Sequence, residues 1–233
     1  MSSALLVAYF QQLPEQRPAD KNKEGKVLRR DAVATFKKRV AGRYTEGTLL
    51  RLLESPDPRT RQAAVLALGL LGSMDTSENL ADHLRDKDPV VGRMAADALW
   101  SVWFRADSPE NNEELRRLAR VQDHPRALAG LDALLARAPD FAEAYNQRAV
   151  VHFRLKDYAR SLEDCERALQ LNPDHFAALA GRGNCFLRLR KNRAALRAFR
   201  QALRINPYLD GIAATIRTLE EALDEEGRRD DKK

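Results

Sequence analysis

Strand-like alternation, long apolar runs and paired cysteines are all scarce in this sequence. No stretch alternates apolar and polar residues for long enough to indicate a β-strand, and ten prolines and eleven glycines are few for 233 residues. An almost purely helical protein is therefore expected. The longest apolar run near the N-terminus, residues 4–10, lacks the flanks of a signal peptide and is too short to cross a bilayer. We expect a cytoplasmic protein without a membrane span.

Residues that carry metal or redox chemistry are few. The only cysteines, Cys165 and Cys185, have no metal-ligand spacing around them, which excludes a disulfide framework and favours two reduced, buried thiols. A redox switch between adjacent helices is the alternative. The four histidines are scattered, with no carboxylate or cysteine at metal-ligand spacing: His83, His124, His152 and His175. The sequence therefore predicts no catalytic residue, no metal site and no cofactor.

A 34-residue period runs through the C-terminal half. Ala168-Leu169 recurs as Ala202-Leu203, and Asn172-Pro173 recurs as Asn206-Pro207. A fixed period of this length indicates stacked supersecondary units, each of which covers the apolar face of its neighbour. Proline cannot continue a helix, so each Asn-Pro ends one unit.

The two copies, 142–175 and 176–209, resemble tetratricopeptide repeats. The matching positions are Tyr145, Ala149, Phe153, Asp157, Tyr158, Leu162, Ala168, Leu169 and Pro173 in the first copy, and Leu179, Gly183, Phe186, Ala195, Leu196, Phe199, Ala202 and Pro207 in the second. The resemblance implies antiparallel helical hairpins. A degenerate third copy aligns at 108–140, and apolar residues at helical spacing after residue 209 predict a capping helix.

A second period, of 31 residues, lies upstream. Asp57-Pro58 recurs as Asp88-Pro89, and Ala67-Leu68 recurs as Ala98-Leu99. The segment 55–72 resembles the short HEAT repeats of many bacterial proteins. In each copy the aspartate is expected to cap the second helix of a hairpin and the proline to begin it.

Together the two periods predict an all-α, right-handed α-solenoid. Its expected parts are an N-terminal helix and linker (1–26), HEAT-like repeats (27–106), tetratricopeptide hairpins with a capping helix (107–227) and a charged tail (228–233). Solenoids of this kind usually bind other molecules without turnover. The predicted function is a non-enzymatic scaffold in the bacterial cytoplasm.

The tetratricopeptide resemblance implies that a ligand lies against the first helix of each repeat. The residues at those positions are Glu143, Asn146, Gln147, Val150, Phe153 and Arg154 in one copy, and Ala177, Ala180, Asn184, Leu187 and Arg188 in the next. This mixture suits a protein or peptide partner with one or two acidic groups, which Arg154 and Arg188 could meet. A chaperone-tail ligand is disfavoured, because only Asn184 matches the carboxylate clamp of that subclass.

A strongly basic window lies in the last repeat. Eight lysines and arginines and no acidic residue occur between Asp174 and Asp210. The candidate anion-binding residues are Arg190, Lys191, Arg193 and Arg197. Such a surface can bind nucleic-acid phosphates, although no aromatic side chains interleave with the arginines and nearby acidic helices could neutralise them. Nucleic-acid binding therefore remains an alternative to peptide binding.

The third hypothesis concerns Asp97, Trp100 and Trp103 near the end of the HEAT-like part. An acid one helical turn from an aromatic residue resembles the arrangement in helical-repeat DNA glycosylases, which would make the chain an enzyme acting on DNA or on a small molecule. The tryptophans could form a ligand platform, or they could fill the space where one repeat type meets the other.

Overall fold

The computed structural model describes residues 2–14 and 23–230, with side chains for 3–14 and 29–225. Within those ranges it contains thirteen α-helices and no strand, which confirms the all-α prediction. Residues 15–22, part of the predicted N-terminal helix and linker (1–26), and residues 231–233 of the charged tail lie outside the described residues. Among the described helices, none combines the length and the apolar character needed to cross a membrane.

The chain forms two compact units, Met1–Val102 and Trp103–Lys233. The helices of the first unit are α1 (Ser2–Gln11), α2 (Lys23–Ala41), α3 (Glu46–Leu53), α4 (Pro58–Leu71), α5 (Ser77–Asp82) and α6 (Pro89–Trp103), the last of which crosses the boundary between the units. Helix α4 packs against α1, α2 and α3, so it forms the centre of this unit.

The two Asp-Pro turns begin helices as predicted. The Asp57 carboxylate accepts the backbone N–H groups of Arg59 and Thr60, and α4 starts at Pro58. The Asp88 carboxylate likewise accepts the N–H of Val90 at the start of α6. A side-chain oxygen at this position satisfies N–H groups that have no partner within the helix, so the 31-residue period has a direct structural cause.

A buried ion pair connects α4 to the turn before α6. The Arg61 guanidinium donates to both carboxylate oxygens of Asp86, at 2.8 and 2.7 Å, and to the carbonyl oxygen of Ser55 at 2.8 Å. Both side chains of the pair are less than a tenth exposed. Further along, α4 and α6 approach so closely that a Cβ atom added at Gly69 would lie 2.9 Å from the Cβ of Ala98.

The second unit continues as a series of helical hairpins. Its helices are α7 (Pro109–Leu118), α8 (His124–Arg137), α9 (Ala142–Arg154), α10 (Tyr158–Leu171), α11 (Phe176–Arg188), α12 (Asn192–Ile205) and α13 (Asp210–Asp230). Helices α8, α10 and α12 begin at residues 124, 158 and 192 and end at 137, 171 and 205, so the 34-residue period holds at both ends. Each helix packs on its neighbours in the chain, and α9 also packs on α11.

Small residues bring the helices of a hairpin together. A Cβ atom added at Gly183 would lie 2.5 Å from the ring of Phe199, so glycine is needed where α11 meets α12.

The turns at the ends of α9 and α11 share an unusual backbone conformation. Lys156 and Arg190 both have positive φ angles, 64° and 57°, a conformation that glycine adopts more easily. Capping helix α13 then covers α12 through Ile216 and Leu219.

Candidate functional site

The proposed ligand-facing residues lie on α9 and α11, which pack against each other. Val150, Arg154, Asn184 and Arg188 are exposed on these two helices. Phe153, Gln147, Ala180 and Leu187 are half-buried. These eight residues lie on two neighbouring helices, as the repeat positions predict, and what they bind stays a prediction.

One cation–aromatic contact joins the two repeats at this surface. The guanidinium of Arg188, on α11, lies 5.9 Å from the ring centre of Phe153, on α9. Phe153 in turn packs against Tyr158, with 5.3 Å between ring centres. An arginine over an aromatic ring is held by the ring quadrupole, so Arg188 is oriented over α9.

Glu143 and Asn146 do not face solvent. They are 0% and 3% exposed, because Glu143 is the centre of a buried polar network. Its carboxylate accepts hydrogen bonds from Gln147 at 2.6 Å, from Asn146 at 3.2 Å and from His175 Nε2 at 2.9 Å. His175 Nδ1 accepts the N–H of Ala178, which leaves the ring proton on Nε2 to be donated to Glu143. The two residues are therefore unavailable to a partner in this conformation.

Trp103 packs against this network. Its ring stacks on the His175 imidazole at 4.2 Å and packs against Phe176 at 4.8 Å. It is 2% exposed, and its indole N–H has no acceptor among the described residues. Trp103 is thus a core residue of the second unit, whereas Trp100 is 39% exposed. The sequence contains one indication of this cluster, because a charged residue, Glu143, stands where the next copy has the small apolar residue Ala177.

Acidic side chains neutralise only part of the basic window between Asp174 and Asp210, which forms α11 and α12. Arg200 pairs with Glu220 of α13 at 2.6 Å, and Arg182 donates to Gln201 at 3.0 Å. The acidic residue of α10 that is buried, Asp164, pairs instead with Arg148. Four exposed side chains form no ion pair or hydrogen bond with any residue the structure describes: Arg190, Lys191, Arg193 and Arg197.

The two cysteines are free and buried, in agreement with the prediction of core thiols. Cys185 Sγ donates to the hydroxyl of Ser161 at 3.1 Å, and Ser161 donates to the carbonyl of Ala149 at 2.8 Å. The neighbouring Cys165 thiol lowers the pKa of Cys185 below its usual value, although burial opposes this. Both thiols lie inside the packing of α10 and α11.

Asp97 lines a cavity of the first unit with a volume of about 790 Å³, and Trp100 is not among the residues that line it. The lining of this cavity therefore includes one member of the proposed pair and not the other. Among the described residues, no group of three or more histidine, cysteine or acidic side chains could hold a metal ion.

Two family models match the parts of the sequence that carry the two periods. A HEAT-repeat model matches residues 21–100 and 45–146, which together make up more than half of the chain. The chain belongs to the HEAT-repeat family. In this HEAT-repeat chain a tetratricopeptide-repeat model also matches, at residues 142–175, so both resemblances are confirmed. The HEAT match runs past residue 106, and the boundary between the repeat types stays a prediction. Both families consist generally of interaction scaffolds without catalysis.

No curated protein matches the HEAT-repeat chain. Several solved structures show a distant similarity, with low sequence identity and TM-scores below 0.5. The first tetratricopeptide domain of human RPAP3 is 21% identical, with 55% of this chain and 94% of that chain covered and a TM-score of 0.44. The thermophilic tetratricopeptide protein TTC0263 of Thermus thermophilus is 18% identical over 83% and 92%, with a TM-score of 0.39. A complex of yeast Sti1 with pHSP90 is 18% identical over 86% and 84%, with a TM-score of 0.42. Likenesses of this size do not extend to ligands.

Proposed function

We propose that the protein is a non-enzymatic scaffold that holds an acidic, partly apolar peptide of a protein partner against α9 and α11. One observation carries this proposal. Of the five large apolar side chains that are exposed in the described part of the chain, three lie on α9 or directly after α9 and α11: Val150, Leu155 and Leu189. They are close in sequence to the exposed cations Arg154 and Arg188. We expect the protein to act in the bacterial cytoplasm.

The chemistry of this surface favours a peptide with both apolar and acidic side chains. Apolar groups that gather on one face of a soluble protein mark interaction surfaces. Arginine binds carboxylates through paired, charge-assisted hydrogen bonds, and Arg188 is already oriented by Phe153. Glu143 and Asn146 are left out of this contact surface, since their side chains are engaged with each other and with His175.

Reversing the two cations should release the partner. We expect the Arg154→Glu/Arg188→Glu variant to lose at least about tenfold in affinity, which corresponds to roughly 1.4 kcal/mol, because carboxylates would then face carboxylates. The measurement is affinity capture from a nuclease-treated bacterial lysate with quantitative mass spectrometry, followed by titration of the protein identified.

The matched control is Arg120→Glu/Arg126→Glu, which makes the same change in net charge at two exposed arginines after α7 and at the start of α8. It should capture the same protein as the wild type. Equal capture by both double variants, or the lack of any protein enriched by the wild type, would contradict the proposal.

Nucleic-acid binding is the second candidate, because Arg190, Lys191, Arg193 and Arg197 lack counter-charges among the described residues. Arg193 and Arg197 lie one turn apart on α12, and Arg200, which pairs with Glu220, follows them at helical spacing. Such a row of cations suits a phosphodiester backbone and reads no base sequence.

The salt dependence of binding tests this candidate. For a single-stranded 20-mer measured by fluorescence anisotropy, Arg193→Glu/Arg197→Glu should reduce the slope of log K against log salt by about 1.4, if each arginine neutralises one phosphate. The Arg120→Glu/Arg126→Glu variant should keep the wild-type slope. Weak binding that both variants reduce equally would mean that only net charge matters, and it would eliminate the row of cations as a site.

A further inference from the structure

A buried histidine of the first unit lies where the ends of two helices meet. His83 is 9% exposed. It directly follows α5, and its ring reaches Leu53, the last residue of α3. Carbonyl groups in the last turn of a helix lack partners within the helix and carry the negative end of its dipole. The His83 ring is therefore surrounded by backbone oxygens that need a donor.

Both ring nitrogens of His83 contact backbone carbonyl oxygens. Nδ1 lies 2.8 Å from the carbonyl oxygen of Asn79 in α5, and Nε2 lies 3.1 Å from the carbonyl oxygen of Leu53. A carbonyl oxygen can only accept a hydrogen bond, and a neutral imidazole has a single N–H to donate. Its other nitrogen would hold a lone pair against the second oxygen. Only an imidazolium, which carries two N–H groups, satisfies both contacts.

The charged groups around the ring favour the same state. The Glu54 carboxylate at the end of α3 lies 3.9 Å from Nε2. Asp86, in the turn after His83, also interacts with the charge of the ring. Helix α4 contributes one buried cation, Arg61, which is paired with Asp86 through two hydrogen bonds. The charged neighbours in sequence are exposed and of opposite sign: Asp82 and Arg85.

Burial opposes a charged ring, but it also makes the neutral ring unfavourable. A neutral His83 would leave one carbonyl oxygen without its donor and one ring nitrogen without a partner, in a place where water has little access. The charged ring avoids both losses, and it gains from the ends of two helix dipoles. The folded chain therefore binds this proton more tightly than the unfolded chain does.

We propose that His83 is an imidazolium in the folded chain and that it ties the end of α3 to α5 only while it keeps its proton, which makes the first unit sensitive to pH. This device is independent of the peptide surface on α9 and α11. A proton bound more tightly in the folded state stabilises that state in mild acid. The contribution is lost as the pH rises through the range in which histidine gives up its proton.

Nitrogen NMR of the imidazole rings tests the charge state directly. In a sample with ¹⁵N-labelled histidine at pH 7, both ring nitrogens of His83 should have chemical shifts close to those of protonated nitrogens. A neutral ring would instead give one N–H signal and one well-separated signal from a bare nitrogen. Backbone-to-ring assignment of the wild type identifies these signals without any variant.

Urea unfolding followed by circular dichroism at pH 5.5 and pH 8.5 tests the consequence. Between these conditions the folding equilibrium constant of the wild type should fall at least about fivefold more than that of His83→Gln, because an amide side chain can donate to a carbonyl but does not titrate. The control is His124→Gln, which removes a half-buried histidine at the start of α8 and should keep the wild-type pH dependence.

Either of two results would overturn the proposal. One is a His83 ring that carries a bare nitrogen at pH 7. The other is a pH dependence of stability that is the same in the wild type and in His83→Gln, or that is steeper in the variant. If His83→Gln does not fold at either pH, the ring nitrogens of the wild type decide the question.

Discussion

Replacing Arg61 with alanine should lower the free energy of unfolding by about 3–5 kcal/mol. The change leaves the Asp86 carboxylate buried without the two hydrogen bonds that it accepts from Arg61, at 2.8 and 2.7 Å. It also removes the donor that satisfies the carbonyl oxygen of Ser55. Truncating one partner of a buried pair is costly because the remaining charge has lost both water and counter-ion.

Urea unfolding followed by circular dichroism measures this effect. The control is Arg59→Ala, which removes an exposed arginine two residues earlier and should cost less than about 0.5 kcal/mol. The double variant Arg61→Met/Asp86→Leu should recover most of the loss, since no buried charge then remains. A loss below 1 kcal/mol for Arg61→Ala would mean that Asp86 finds another partner or water.

The Arg61–Asp86 pair should also make the free energy of unfolding depend on pH. Burial raises the pKa of Asp86, but the hydrogen bonds from Arg61 and from the N–H of Asp88 outweigh it, so the pKa lies below its usual value. A carboxylate with a lowered folded pKa stabilises the protein above its unfolded pKa, and the contribution is lost as the pH falls through the folded pKa. The stability difference between the wild type and Arg61→Ala should therefore shrink in acid.

The second large effect is expected at Glu143. Glu143→Ala removes the acceptor shared by His175, Asn146 and Gln147. Two of these donors, on His175 and Asn146, are buried, and an unsatisfied buried donor costs about 1–3 kcal/mol. We therefore expect the free energy of unfolding to fall by about 2–6 kcal/mol.

An exposed acidic residue provides the control for this prediction. Glu163 lies on α10 and is exposed, so Glu163→Ala should change stability by less than about 0.5 kcal/mol. Adding His175→Leu to Glu143→Leu replaces both polar partners with apolar groups and should recover part of the loss. Equal stabilities of Glu143→Ala and Glu163→Ala in urea unfolding would show that the buried network is not a source of stability.

The helical hairpins could be predicted from the sequence because their determinants are local and periodic. Asp57, Pro58 and Pro89 mark helix starts, and Gly183 marks the close approach of α11 to Phe199 on α12. Each feature acts within one hairpin or between neighbouring ones.

The environment of Glu143 could not be predicted in this way. The repeat pattern assigned Glu143 to the ligand-facing side of α9, but it is buried with His175, on which Trp103 stacks. Trp103 lies forty residues before Glu143, in the HEAT-like part, and the 34-residue period carries no information about a side chain outside the copies that it relates. The same reason applies to the cavity beside Asp97, since α1 contributes Phe10 from more than eighty residues away.

The positions of the two tryptophans have an optical consequence. The boundary between the compact units falls between Val102 and Trp103, so each unit contains one of the chain's two indoles. Trp100 is partly exposed and Trp103 is buried against an imidazole ring. Without Trp100, as in Trp100→Phe, all indole emission would come from the second unit, and its fluorescence would report the unfolding of the tetratricopeptide part without a label.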